Sequence, residues 1–170
     1  YSPPGIYDYE VVHKDSDDWR GIDVALLFNP TKLKRIYSYF IKIDMESLRG
    51  SPTRNILYSR FAVGEDTLDV FVNHWPSKYG GVGVTDKFRN LAAKYLLQAI
   101  DTVKINKPNA KIVAFGDFND IAGSTSIDLI TSDPYLERLD MSNDRVKGTI
   151  KYQGRWECID HIFVSKNLLE

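Results

Sequence analysis

Ala114-Phe115-Gly116-Asp117-Phe118-Asn119-Asp120 is the stretch on which the reading of this fold turns. The apolar run Ile112-Val113-Ala114-Phe115 reads as a buried strand. It meets a glycine and then presents an aspartate and an asparagine two positions apart. If the extended geometry persists, strand alternation sends Asp117 and Asn119 to the same side. A carboxylate beside a neutral amide suits hydrolysis of a phosphate ester. The aspartate can orient and deprotonate a water, and the amide can donate to a developing phosphoryl charge without repelling that water. Alone, a Gly-Asp pair after a strand is more simply a polar turn.

Two further segments shift that balance. Val70-Phe71-Val72 ends in Asn73 and His74, and the loop Trp75-Pro76-Ser77-Lys78-Tyr79-Gly80-Gly81 follows. Ile159-Asp160-His161-Ile162-Phe163-Val164 carries an Asp-His pair inside an otherwise apolar strand. A charge in such a strand is costly unless it is paired or functional. Three polar interruptions in or at the ends of hydrophobic strands suggest a shared site on a sheet edge.

The composition bounds the alternatives. A chain of 170 residues is one domain by length, 1–170, and 43% apolar residues can build a core. Twenty-two Lys and Arg against 23 Asp and Glu give a formal net charge of −1. That is no footprint for gripping long duplex nucleic acid by bulk charge, although a local basic patch is compatible with it. No apolar run is long enough for a membrane span. No signal peptide is visible, and the first residue, Tyr1, suggests a trimmed sequence. The single cysteine, Cys158, excludes an intrachain disulfide and reads as a small apolar residue.

The periodicities predict an extended piece over 7–12 and strands over 22–28 and 35–43. A hairpin is expected from 56–63 and 67–74 across Gly64-Glu65-Asp66. Phe88, Leu91, Ala92, Tyr95, Leu96, Ala99, Ile100 and Val103 mark one face of a helix, with Thr85 as N-cap and Asn106 and Pro108 at its end. A strand over 111–115, a short helix over 123–130 capped by Ser124 or Ser126, and a closing hairpin of 149–152 and 157–164 complete a mixed α/β or α+β pattern.

In order, Arg20-Gly21-Ile22-Asp23-Val24-Ala25-Leu26-Leu27, Thr53-Arg54-Asn55-Ile56-Leu57, Asn73-His74-Trp75-Pro76-Ser77, Gly116-Asp117-Phe118-Asn119-Asp120 and Ile159-Asp160-His161-Ile162 span nearly the whole chain. This series resembles the endonuclease/exonuclease/phosphatase superfamily with its deoxyribonuclease I-like fold. The resemblance implies an α+β four-layer αββα sandwich and metal-dependent hydrolysis of a phosphate mono- or diester, with Mg²⁺ or Mn²⁺ as cofactor. The substrate is then a phosphate ester, nucleic acid among the candidates.

It also implies roles. Asp117 positions or activates the attacking water, and Asn119 donates to phosphoryl oxygens. His74, which alone reads as structural, contacts phosphate, backed by an acidic residue for which Asp23 is the candidate. A carboxylate there within hydrogen-bond reach would raise the histidine's pKa. Arg54 and Lys78 bind substrate phosphate. Asp160 orients a histidine from a later strand, while its neighbour His161, on the opposite strand face, is structural. Asp117, Asn119 and Asp160 are the metal ligands on offer. The Gln-Glu pair whose glutamate is the main metal ligand in relatives, and their Ser-Asp-His motif, have no counterpart here. The expectation is a domain lacking its terminal strands, with little or no activity by itself. The competing class is a non-catalytic phosphate-binding or interaction module of the same fold.

Overall fold

The computed structural model describes residues 9–139 and 147–170. Most of the expected elements form, with shifted ends. The strands are β1 (Glu10–His13), β2 (Ala25–Phe28), β3 (Lys34–Ile41), β4 (Ile56–Val63), β5 (Asp66–His74), β6 (Lys111–Asp117), β7 (Leu136–Arg138), β8 (Ile150–Tyr152), β9 (Arg155–Glu157) and β10 (Asp160–Ser165). The helices are α1 (Val82–Asn106) and α2 (Thr125–Thr131). The first two residues of the predicted 7–12 segment lie outside the described residues.

Six strands form one sheet in the order β3-β4-β5-β6-β10-β7. Among the described residues, only β5 and β6 pair in parallel. A parallel pair needs a crossover, and α1 supplies it. One face of the sheet carries Ile56, Tyr58, Phe71, Ile112, Ala114 and Phe163 against Ala92, Leu96 and Ile100 of α1 and Ile127 and Ile130 of α2. The other face carries Leu57, Phe61, Val70 and Val72 against Val12 of β1 and Leu26 and Phe28 of β2, which pair as a separate ribbon. Strand alternation thus feeds two cores, one on each side of a single sheet. Helices, sheet and ribbon are three successive layers of the αββα sandwich.

The differences from the sequence reading have local causes. Thr85 does not cap α1. The helix starts at Val82, and the Thr85 hydroxyl donates to the Gly81 carbonyl at 3.0 Å from inside the first turn. The closing hairpin is smaller than expected. β8 and β9 pair only with each other, across Gln153 and Gly154 with φ of 47° and 80°. Two successive positive φ values suit a tight hairpin turn. β10 leaves that hairpin and inserts between β6 and β7.

Candidate active site

His74, Asp117 and Asp160 stand abreast on three neighbouring strands. His74 ends β5 in register with Asp117 at the end of β6. Asp160 begins β10 and is the antiparallel partner of the same Asp117. Side chains directly opposite one another on paired strands share a face, so the sheet itself delivers the three groups together. His74 Nε2 lies 3.8 Å from Asp117 Oδ2, and both side chains are about one-third exposed. Gly116 permits this close pairing: its φ is +133°, and a Cβ there would sit 2.0 Å from the Asn73 carbonyl oxygen.

Asn119 joins the row by a route other than alternation. The strand stops at Asp117, whose Oδ1 accepts the Asn119 backbone N–H at 2.7 Å. Asn119 takes a φ of +50° within that Asx turn. The extended geometry therefore does not persist, yet the turn folds Asn119 back so that its Nδ2 donates to the Trp75 carbonyl at 2.9 Å. Backbone bonds lock the same corner, from Trp75 N–H to the Asp117 carbonyl and from Phe118 N–H to the Ile159 carbonyl, each 2.9 Å.

The pairing expected for His74 is corrected. Asp23 lies ahead of β2, in the loop that follows β1. Its Oδ1 accepts the Ser16 N–H at 2.6 Å, and its Oδ2 lies 3.4 Å from His13 Nε2. Ser16 also donates its hydroxyl to the Ile22 carbonyl at 3.1 Å, so the loop closes on itself and uses Asp23 as an internal anchor. The pKa of His74 is lowered rather than raised, to about 4. Burial is the main cause, and the positive charges of Arg54 and Arg20 outweigh the pull of Asp18 and Asp160. His74 is thus neutral at pH 7. Asp117 shifts the other way, upward, chiefly by burial and also by the Asp160 charge, against the Asn119 N–H and Arg54.

Arg54 is not an open phosphate clamp. Its side chain is 2% exposed. Nη1 donates to Asp18 Oδ2 at 2.9 Å, Nε to the His74 carbonyl at 3.1 Å and Nη2 to the Trp75 carbonyl at 2.5 Å. Every nitrogen is committed, Nε and Nη2 to backbone at and just past the end of β5 and Nη1 to Asp18. Lys78 lies beside the loop after β6, 3.3 Å from Glu157 Oε2 and 3.7 Å from Asp120 Oδ1. His161 is buried. Its Nε2 is 2.8 Å from the Asp120 carbonyl oxygen, and its ring meets the edge of Phe118.

Two residues escaped the sequence reading. Asp18 is buried and binds both Arg54 and Arg20, the latter at 2.8 Å to Oδ2 and 3.0 Å to Oδ1. These partners, Arg20 first, hold its carboxyl well below the usual range. In sequence it hides in the run Asp15-Ser16-Asp17-Asp18, which reads as a solvated loop. Arg89 is fully buried; its Nε donates to Asp120 Oδ2 at 2.9 Å, its Nη1 donates to Thr85 Oγ1 at 3.0 Å and to the Pro76 carbonyl at 3.4 Å, and its Nη2 pairs with Asp86. It ties α1 to the loop carrying Asn119. The available signal was its spacing of four and seven residues from the buried Ala93 and Leu96.

Solved structures share this architecture. The catalytic domain of human Nocturnin, solved with a bound sulfate anion, aligns with 93% of this chain and 61% of its own, at 17% identity and a TM-score of 0.71. Truncated Caenorhabditis elegans TDP2 aligns over 92% of this chain and 61% of its own, at 13% identity and a TM-score of 0.71. A mannosyl-6-phosphatase from Bacteroides thetaiotaomicron aligns over 93% and 63%, at 18% identity and a TM-score of 0.72. At such identities the likeness is one of fold, and the chain spans somewhat over three-fifths of these neighbours. No curated protein sequence matches. The sequence matches the Endonuclease/Exonuclease/phosphatase family over residues 5–170, and the chain belongs to that family.

Proposed function

We propose that His74, Asp117 and Asp160, with Asn119 beside them, hydrolyse phosphate esters with the help of a divalent cation, Mg²⁺ or Mn²⁺, within a single domain. The observation that carries this reading is the charge of the row. Asp117 and Asp160 face each other across paired strands, His74 is neutral, and Arg54 is committed to Asp18 and two carbonyls. Like charges directly opposite destabilise a sheet and would repel a phosphate. The donor set fits a hard cation, since Asp117, Asp160 and the Asn119 amide oxygen are all oxygen ligands. Such a cation bound there would neutralise charge on the phosphate and on the oxygens that gain charge during the reaction.

The chain's own groups divide the remaining work. Asp117 holds the water, and burial makes it a stronger base than an exposed aspartate. Neutral His74 offers a ring nitrogen near the same carboxylate to orient that water or a phosphate oxygen. The amide hydrogen of Asn119 not given to Trp75 donates to a phosphoryl oxygen. The sulfate held by human Nocturnin and the phosphatase from Bacteroides support tetrahedral anion chemistry on this fold.

The test is hydrolysis of p-nitrophenyl and bis-p-nitrophenyl phosphate by the full-length protein carrying this sequence, with Mg²⁺, Mn²⁺ or chelator. Metal-dependent turnover is expected, with Asp117→Asn slower by about 10²-fold or more. Turnover indifferent to chelator and to Asp117→Asn would refute the reading. Phosphate binding without turnover under any metal would favour the non-catalytic module instead.

A further inference from the structure

We infer that Thr149, directly ahead of β8, is a positioning residue that sets Asp160 in the candidate row through its backbone. The inference rests on the phosphate-ester reading of that row and adds a residue that fixes its geometry. Thr149 Oγ1 accepts two consecutive N–H groups, from Ile159 at 3.1 Å and from Asp160 at 3.2 Å. A hydroxyl oxygen has two acceptor lone pairs, so one side chain serves both donors. In an extended strand successive N–H groups point to opposite sides. Their convergence on one oxygen means that the chain bends at Ile159, directly before β10 begins at Asp160.

The six-stranded sheet does not supply this tie. The Phe118 N–H donates to the Ile159 carbonyl at 2.9 Å, which makes Asp117 and Asp160 a non-hydrogen-bonded pair of the antiparallel ladder. The N–H of Asp160 then points away from β6. On that far side, among the described residues, β7 pairs with β10 only from Phe163 onward. Asp160, the first residue of its strand, is therefore open to fraying, and the Thr149 hydroxyl holds it there. Thr149 is itself held. Its N–H donates to the Glu157 carbonyl at 2.9 Å, and the chain crosses so closely that a Cβ on Gly148 would stand 2.6 Å from the same oxygen. The Glu157 carboxylate in turn meets Lys78, in the loop after β5, at 3.3 Å. The β8–β9 hairpin thus links Asp160 to the loop that follows His74. Groups that orient a metal ligand without touching the metal commonly set its affinity, and Thr149 stands in that relation to Asp160.

The experiment uses the full-length protein carrying this sequence and two variants. Thr149→Val keeps the branched shape and removes the acceptor, whereas Thr149→Ser keeps the acceptor. Amide hydrogen exchange is followed in chelator, Mn²⁺ binding by calorimetry, and hydrolysis of bis-p-nitrophenyl phosphate against Mg²⁺ concentration. Thr149→Val should speed exchange at Ile159 and Asp160 by about tenfold, while Val113 and Phe163 on the paired strands stay protected. Its Mn²⁺ affinity and its kcat/KM should each fall roughly 10–100-fold, and Thr149→Ser should recover most of both. Thr149 is exposed, so Tm should change little. Faster exchange with unchanged Mn²⁺ affinity would reduce Thr149 to a fastening of the hairpin and overturn the inference. Equal losses in both variants would do the same, as would a loss of activity that follows Tm while the two amides stay protected. An active parent beside an unaffected Thr149→Val sinks the inference alone. A parent that neither binds Mn²⁺ nor turns over sinks the phosphate-ester reading, and the inference with it.

Discussion

Replacing Asp117 with asparagine should stabilise the protein while removing its proposed activity. Asp117 and Asp160 are direct cross-strand partners, and burial adds to the cost of charging Asp117. The amide is nearly isosteric, and its oxygen can still accept the Asn119 N–H that Asp117 Oδ1 now takes at 2.7 Å. Opposed like charges cost roughly 0.2–1 kcal/mol. With partial burial acting in the same direction, a gain of about 1 kcal/mol is expected at neutral pH in chelator. For a chain of this size that is a rise in Tm of about 2–4 °C. The pH dependence has a definite sign. The folded pKa of Asp117 lies above its ordinary 3.8, so between the two values the folded protein holds more protons than the unfolded one. Stability therefore falls as pH rises through that window. The variant escapes this fall, so its advantage is absent in strong acid and full at neutral pH.

The same substitution should abolish stabilisation by metal. A cation that binds the native site at ten times its Kd adds about 1.4 kcal/mol. Thermal melts followed by circular dichroism, with chelator or excess Mg²⁺, read both effects. The parent should gain from Mg²⁺, and Asp117→Asn should gain little but start higher. A variant that melts below its parent in chelator at neutral pH would refute the repulsion argument. An equal Mg²⁺ shift in both proteins would remove Asp117 from the metal site.

Three further outcomes are expected. His74, with a folded pKa of about 4 against an ordinary 6.5, should cost stability as pH falls from 6.5 towards 4, where the unfolded chain binds the extra proton; an NMR titration of its ring at or above 6.5 would refute this. Arg89→Met strands the buried Asp120 carboxylate and should cost about 3–5 kcal/mol in denaturant melts, part of it recovered when Asp120→Asn is added; strict additivity of the two changes would count against the pairing. Gly116→Ala drives a Cβ to 2.0 Å from the Asn73 oxygen at a φ of +133° and should cost at least ~2 kcal/mol, with the amide resonances of Asn73 and His74 shifting first; a neutral substitution would mean that β5 and β6 are not held at this spacing.

The sequence made the row legible because each member is a polar group ending or beginning an apolar strand. Val70-Phe71-Val72 and Ile112-Val113-Ala114-Phe115 declare the strands, and the first polar residues beyond them are delivered by register. What lay beyond reach were the long-range pairings. Asp23 and Asp18 lie five residues apart in one polar loop, and nothing local says which one turns inward. Asp18 is chosen because Arg54, 36 residues away, arrives in position to meet it. Arg54 was misread for the same reason, since an arginine before a strand looks identical in sequence whether it faces solvent or three buried acceptors. The closing hairpin was overextended because Ile159 to Val164 is apolar enough to continue β9. Only the vacancy between β6 and β7 draws it into the larger sheet.

The misread arginine has a larger consequence than a lost phosphate contact. On an exposed surface, its charge would be screened by water and salt within a few ångströms of the site. Buried beneath the end of β5, it acts through a low-dielectric interior on both neighbours in the row. It favours the neutral form of His74 and the charged form of Asp117. The proposed hydrolysis would use that combination, a carboxylate able to take a proton beside an imidazole that carries no competing positive charge. Asp18 then has a distinct task. By pairing with Arg54 and Arg20 together, it makes the burial of that charge tolerable, since an unpaired guanidinium so deep would be strongly destabilising. The loop after β1 therefore acts on the proposed catalytic row without joining it, through a cation that it holds in place.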